Sequence, residues 1–301
     1  MSLIHLEKVY SLKLANGHGW NLISTEGTEL WMDRLAAIME LKSGELNEYP
    51  KLILIEERDK EKYEEPLYAL EPYIQKTLPR SGWKSNIKIN RFWYHSDVPD
   101  IIYCIGREKN HEDTIVRMWF LTYFIYQREM FSGGSPFHAG LVARNGQGVL
   151  LAANGGTGKS TCCRRIPSPW SALADDQTLI IRNHQEQYMV HPFPTWSEYV
   201  WKLSERTWKI ESHVPLSAIF FLEQAKDDAV IPLEQWRAPA YIYELAMQGC
   251  LPGSQYMNKE EKLILRRRLF DNACKLAKTI PAYILRVSLH GRFWEEIERV
   301  L

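Results

Sequence analysis

Residues 153–161 read Ala-Asn-Gly-Gly-Thr-Gly-Lys-Ser-Thr, between the apolar run Val149-Leu150-Leu151-Ala152 and a segment free of helix breakers up to Pro167. A strand that runs into glycines and restarts as a helix at Gly-Lys-Ser has few uses. Gly155 and Gly156 permit positive φ angles and close backbone approach. Successive N–H groups then form an anion-binding concavity, with the positive end of the next helix behind it. The phosphate-loop pattern is Gly, four residues, then Gly-Lys-Ser/Thr. Gly158-Lys159-Ser160 fill its end, and Ala153 stands where the first Gly is expected. The expectation is a Walker A loop for ATP, cradled by Asn154, Gly155, Gly156, Thr157, Gly158, Lys159, Ser160 and Thr161. Lys159 supplies a point charge for the β/γ-phosphates, and Ser160 offers a hydroxyl to Mg²⁺. A glycine-rich turn with an accidental Lys-Ser would leave the strand before it and the helix after it unexplained.

Two further elements fall nearby. Asp175-Asp176 close the strand-like run Ala172-Leu173-Ala174, 15 residues beyond Ser160. A carboxylate at such a strand end reaches a metal or an attacking nucleophile; the bland alternative is a solvated turn. His138 lies 15 residues before Ala153, in Pro136-Phe137-His138-Ala139-Gly140. Alone it reads as a core or turn histidine. Its place on the strand leading into the loop hairpin, whose turn is Asn145-Gly146, raises it to a site candidate.

The rest of the chain is ordinary in composition. Of 301 residues 45% are hydrophobic; Lys plus Arg and Asp plus Glu are 37 each, so the formal net charge is zero. That balance gives no global reason to bind nucleic acid or an anionic membrane. The first residues meet an acid, Glu7, too soon for a secretory signal, and apolar runs fall short of the roughly 20 residues of a membrane span. The five cysteines lack zinc or disulfide spacing. They read as reduced thiols of a cytoplasmic protein, with Cys162 and Cys163 facing a core. Expected elements are helices at 30–41, 113–130 and 258–278, and strands at 52–55, 101–105, 172–174, 216–222 and 283–289. A hairpin joins 178–182 to 188–191. The polar stretch 56–65 reads as loop, and 132–136 as a turn and domain boundary, giving an accessory domain at 1–131 and a catalytic domain at 132–301. The aromatics between Trp119 and Tyr126, on the expected helix at 113–130, read as core or domain interface, and Arg266-Arg267-Arg268 as a solvated face. Together this is a β-rich α/β chain without regular βαβα alternation.

His138, the loop and Ala174-Asp175-Asp176, in this order and spacing, resemble the HPr kinase family and its relatives over roughly residues 132–290. The resemblance implies a β-rich P-loop core of HPr kinase/PEP carboxykinase type behind an N-terminal α+β accessory domain. It assigns phosphates and Mg²⁺ to Lys159 and Ser160, the base to Asp175, metal support to Asp176, and a place beside the transferred phosphoryl to His138. The family's second signature, near Glu-Ile-Arg-Gly-Leu-Gly, has no equivalent, so the expectation stops short of HPr as substrate and of phosphorolysis. The chain resembles more closely the HPr-kinase-related proteins of peptide-modification gene clusters, such as the SynChlorMet cassette protein ScmC group. The stretch His191 to Trp196 is associated with those relatives; following a strand, it either lines the acceptor side or forms a structural proline turn.

The sequence lacks a Gly-x-Ser-x-Gly elbow, a zinc cluster and a dinucleotide fingerprint. The expectation is an ATP- and Mg²⁺-dependent kinase acting on a Ser or Thr hydroxyl of a small protein or peptide. Its rivals are a kinase for a small molecule such as free serine, and a nucleotide-gated peptide-binding module that transfers poorly. The acid pair favours an enzyme, since a pure binder needs no base. Oligomeric state is left open.

Overall fold

The unbroken apolar runs Leu52–Ile55 and Ile101–Ile105 have no face-to-face alternation, which is the pattern of parallel strands buried on both sides. In the computed structural model, which describes residues 4–57, 67, 70–86, 91–106, 110–202, 204–250 and 257–301, both are central strands. The chain divides into two units, Met1–Ile125 with Trp196–Thr207, and Tyr126–Thr195 with Trp208–Leu301. Each carries its own sheet, so the fold is mixed α/β with two multi-strand sheets.

In the first unit the strands are β1 (Leu6–Lys13), β2 (Gly19–Thr25), β3 (Lys42–Ser43), β4 (Lys51–Glu56), β5 (Lys84–Asn86), β6 (Arg91–Tyr94) and β7 (Ile101–Ile105). Their order is β3-β1-β2-β4-β7-β6-β5, with β2, β4 and β7 parallel at the centre. Helices α1 (Glu29–Ile38) and α2 (Pro72–Gln75) belong to this unit, as does α5 (Trp196–Lys202) in the returning segment. Helix α3 (His111–Phe131) begins in this unit, and its Phe120 and Phe124 pack against Phe92 and Tyr103. The expected core role of these aromatics is what the packing shows. Residues 58–65 of the expected polar loop lie outside the described residues.

The second unit holds β8 (Ser135–Arg144), β9 (Gln147–Ala152), α4 (Lys159–Arg165), β10 (Ser171–Ala174), β11 (Gln177–Arg182), β12 (Tyr188–Phe193), β13 (Val214–Gln224), β14 (Ala229–Pro232), α6 (Ala238–Gly249), α7 (Lys259–Thr279), β15 (Ala282–Val287) and α8 (Phe293–Glu298). Strands β9, β13 and β15 run parallel, and β8 turns into β9 through Asn145-Gly146, both at positive φ. Helix α7 opens with a full capping box, Asn258 with Glu261. Its Arg266 and Arg267 are exposed, while the Arg268 guanidinium lies 5.3 Å from the Phe131 ring centre.

Two expectations are corrected here. The turn expected over 132–136 ends at Gly134, because Ser135 and Pro136 already pair with Ile180 and Leu179. The stretch from His191 does not follow a strand: His191, Pro192 and Phe193 are the end of β12, paired with Leu179, Thr178 and Gln177. Proline is tolerated at position 192 because, among the described residues, β13 pairs with β12 only at Met189 and Val190, so the other edge of β12 carries no ladder bond there.

His191 is buried, and its Nδ1 donates to the Ile210 carbonyl at 2.7 Å. Burial pushes its pKa down from 6.5 to about 4, against the pull of that hydrogen bond. As pH falls below 6.5 the unfolded chain binds a proton that the native state refuses, so stability is full above 6.5 and lost downward through the window to 4. The expected loss from this group is about 2 kcal/mol by pH 5. Melting curves should show a smaller drop between pH 7 and pH 5 in His191→Asn, whose amide keeps a donor but takes no proton; an equal drop would assign the acid sensitivity to other groups.

Candidate functional site

The glycine loop is built as its sequence demands. Strand β9 ends at Ala152, Gly156 and Gly158 adopt φ of +79° and +113°, and α4 begins at Lys159. Angles in this range cost a glycine little and other residues much. Side-chain positions built on Gly155, Gly156 or Gly158 meet no other atom within 4 Å among the described residues, so one side of the loop is open. Cys162 and Cys163, on the next turn of α4, face the core with Val142, Leu151 and Phe220 as expected. Burial pushes the Cys162 thiol up to about 11.

Lys159 folds back over the loop it follows. It is only 5% exposed; its Nζ donates to the carbonyl of Ala153 at 2.9 Å and to that of Asn154 at 3.5 Å. The same ammonium stands 4.0 Å from Asp176 Oδ1. Burial lowers the pKa of Lys159, and the carboxylates of Asp176 and Asp175 oppose that shift.

Strand β8 explains how the acid pair arrives there. One edge of β8 is paired with β9 from Ala139 to Arg144. Along the other edge lie two successive strands, β10 against 141–143 and β11 against 135–138. Asp175 and Asp176 bridge the gap between them, opposite Ala139 and Gly140. Gly140 lets this seam pack closely, since a Cβ would stand 2.5 Å from Cys163 Sγ and displace it. With Gln177 paired to His138, the residue before it is brought to the imidazole: His138 Nε2 meets Asp176 Oδ1 at 2.8 Å.

Burial pushes the Asp176 carboxyl up, but the hydrogen bond from His138 and the charge of Lys159 outweigh it and hold it below its ordinary value. Asp175 is buried and turned to a different partner, accepting a hydrogen bond from Thr195 Oγ1 at 2.6 Å. Of the residues expected at a site, His138, Asp176, Lys159 and the loop thus form one connected group. Ser160 and Thr161 follow on the first turn of α4, both half-buried.

The family described as SynChlorMet cassette protein ScmC matches residues 101–301, most of the chain. The chain belongs to this family. Its ScmC region begins with the first residue of β7 and contains every candidate site residue from His138 to Asp176. Among curated proteins, no match to the chain was found.

Sequence reasoning missed four contributors inside that ScmC region. Gln224 Nε2 donates to the Thr157 carbonyl at 3.2 Å from the end of β13. Gln248 and Glu244, on α6, reach Asn154 of the loop. Thr195 lay in the singled-out stretch, but its bond to Asp175 joins residues 20 apart and carries no local pattern. No motif marks any of the four; the singled-out stretch around Thr195 was the only available signal.

Proposed function

We propose that this ScmC-family chain is an ATP-dependent phosphotransferase with a P-loop core of HPr-kinase type, acting on a Ser or Thr hydroxyl of a small protein or peptide. The observation that carries the reading is the Lys159–Asp176–His138 group set over an open glycine loop. A binding module needs the loop, the lysine and a carboxylate for Mg²⁺; it has no use for a second, buried carboxylate, Asp175, beside them as a base.

The residues fit the cofactor. Loop amides and Lys159 would hold the β/γ-phosphates, and Ser160 with Asp176 would hold Mg²⁺. Among the described residues no group of three or more His, Cys, Asp and Glu is placed to hold a metal. A sparse set suits Mg²⁺, which is commonly bound through one or two carboxylates plus substrate phosphates. Mg·ATP supplies the transferable phosphoryl group. The chain's own residues do the rest: Lys159 neutralises charge, His138 orients Asp176, and Asp175, aligned by the Thr195 hydroxyl, takes the acceptor's proton.

Incubating the protein with labelled ATP, peptides encoded beside its gene, and free serine tests the reading. A mass gain of one phosphate on a peptide is the expected result. Label on serine alone would move the assignment to a small-molecule kinase, and bound nucleotide with no label transferred would leave a nucleotide-gated binder.

A further inference from the structure

Helix α6 ends directly on β8. A Cβ on Gly249 would stand 3.1 Å from the Phe137 nitrogen and from the Pro136 carbonyl carbon, so the glycine is what allows the approach. That contact sits immediately before His138 in the strand, and it delivers the residue preceding Gly249. Gln248 Oε1 lies 2.7 Å from His138 Nδ1, while Gln248 Nε2 donates to Asn154 Oδ1 at 2.6 Å. One turn earlier on the same helix face, Glu244 Oε1 accepts from Asn154 Nδ2 at 3.4 Å.

These bonds fix one another's direction. Asn154 donates its amide nitrogen to Glu244 Oε1, which leaves Asn154 Oδ1 for Gln248. Gln248 must then present its own nitrogen to Asn154, and its oxygen is left to accept from His138 Nδ1. His138 meets Asp176 through the opposite ring nitrogen, Nε2. A continuous path therefore runs from Asn154 in the loop, through one glutamine side chain, to His138 and Asp176.

We propose that Gln248 is a positioning residue: it fixes the His138 ring against Asp176 and ties that ring to the glycine loop through Asn154. The purpose of the link rests on the phosphotransferase reading, whereas its geometry does not. With the loop and the acid pair joined by one amide, a change in the backbone at Asn154 is felt at His138. Gln248→Leu keeps the side-chain bulk and removes both hydrogen bonds; Gln248→Glu keeps the acceptor for His138.

The test uses the full chain labelled with ¹⁵N and no ligand. The ring nitrogens of His138, identified by their loss in His138→Ala, are expected to shift in Gln248→Leu, and to shift less in Gln248→Glu, which keeps the acceptor for the ring but loses the donor to Asn154. They should also shift in Asn154→Ala, although Asn154 makes no bond to the ring. Unchanged ring signals in Gln248→Leu, or in Asn154→Ala, would overturn the proposal. A second arm measures the dissociation constant for Mg·ATP in wild type, Gln248→Leu, His138→Ala and the double variant. Gln248→Leu should weaken binding about threefold or more in the wild type and not further in His138→Ala, the signature of coupled residues. Equal weakening in both backgrounds counts against the link. Should wild type ignore Mg·ATP altogether, the phosphotransferase reading fails, while the ligand-free spectra still decide the role of Gln248.

Discussion

Asp175→Asn is expected to leave Mg·ATP bound and to slow phosphoryl transfer by roughly 10²–10⁴-fold, the usual worth of a general base. The amide is nearly isosteric and still accepts the hydrogen bond from Thr195 Oγ1 through its oxygen, so the buried arrangement survives. It cannot take a proton at neutral pH. Nucleotide affinity should hold because the loop and Lys159, rather than Asp175, face the phosphates in the proposed site. Asp176→Asn should behave differently. It removes the carboxylate that pairs with both His138 and Lys159, so the concentration of Mg²⁺ required should rise before the proton step is affected. Parallel Mg²⁺ titrations of transfer in the two variants separate the roles. If Asp175→Asn transferred phosphate at the wild-type rate while Asp176→Asn did not, Asp176 would be the base and the order of roles would reverse.

Lys159→Ala is expected to remove most of the stabilisation that Mg·ATP gives the fold. A ligand that binds only the native state adds about 2.7 kcal/mol at 100-fold over its dissociation constant. For a unit of this size that is about 5–10 °C in melting temperature. The lysine is the buried cation of the loop, set between two backbone carbonyls and a carboxylate. Truncating it leaves Asp176 without that cation and the loop without its point charge. Because the ligand-free melting temperature can itself move, the quantity to compare is the nucleotide-induced shift within each variant. A full shift retained in Lys159→Ala would take this residue out of the nucleotide site.

What the sequence disclosed follows from where the physics is local. Asn145-Gly146 announced its hairpin because few other pairs accept positive φ at consecutive positions. Ile101–Ile105 announced a central strand because continuous burial leaves no alternation, and the observed strand has those bounds. The glycine loop announced its shape in part: of Gly155 and Gly156, Gly156 takes a positive φ and Gly155 does not, while Gly158, expected as the end of the motif, takes another. Prolines were the weak point. Pro136 reads as a turn residue, and a proline turn is one of the two open readings at Pro192; both lie inside strands, where pairing on one edge overrides the local signal. Gln248 was out of reach altogether. It is 94 residues from Asn154 and 110 from His138, on a helix whose sequence is unremarkable except for the glycine that follows it. Contacts of that kind are decided by how α6 seats on β8, and no spacing rule along the chain encodes them.

The seam on β8 has a consequence for how the site tolerates change. Two strands, β10 and β11, share a single edge, and the acid pair is the join between them. The glycine loop hangs from the opposite edge, beginning one residue after the Ala152–Ala139 pair. The alignment of acids against loop is therefore a matter of counting residues. Deleting one residue between His138 and Leu141 would turn the following side chains to the opposite face and shift one edge against the other, with every side-chain identity preserved. Extra residues at the Asn145-Gly146 tip, where Gly146 borders open space, leave that count intact. Between His138 and Leu141 the site is therefore sensitive to chain length as well as to side-chain identity.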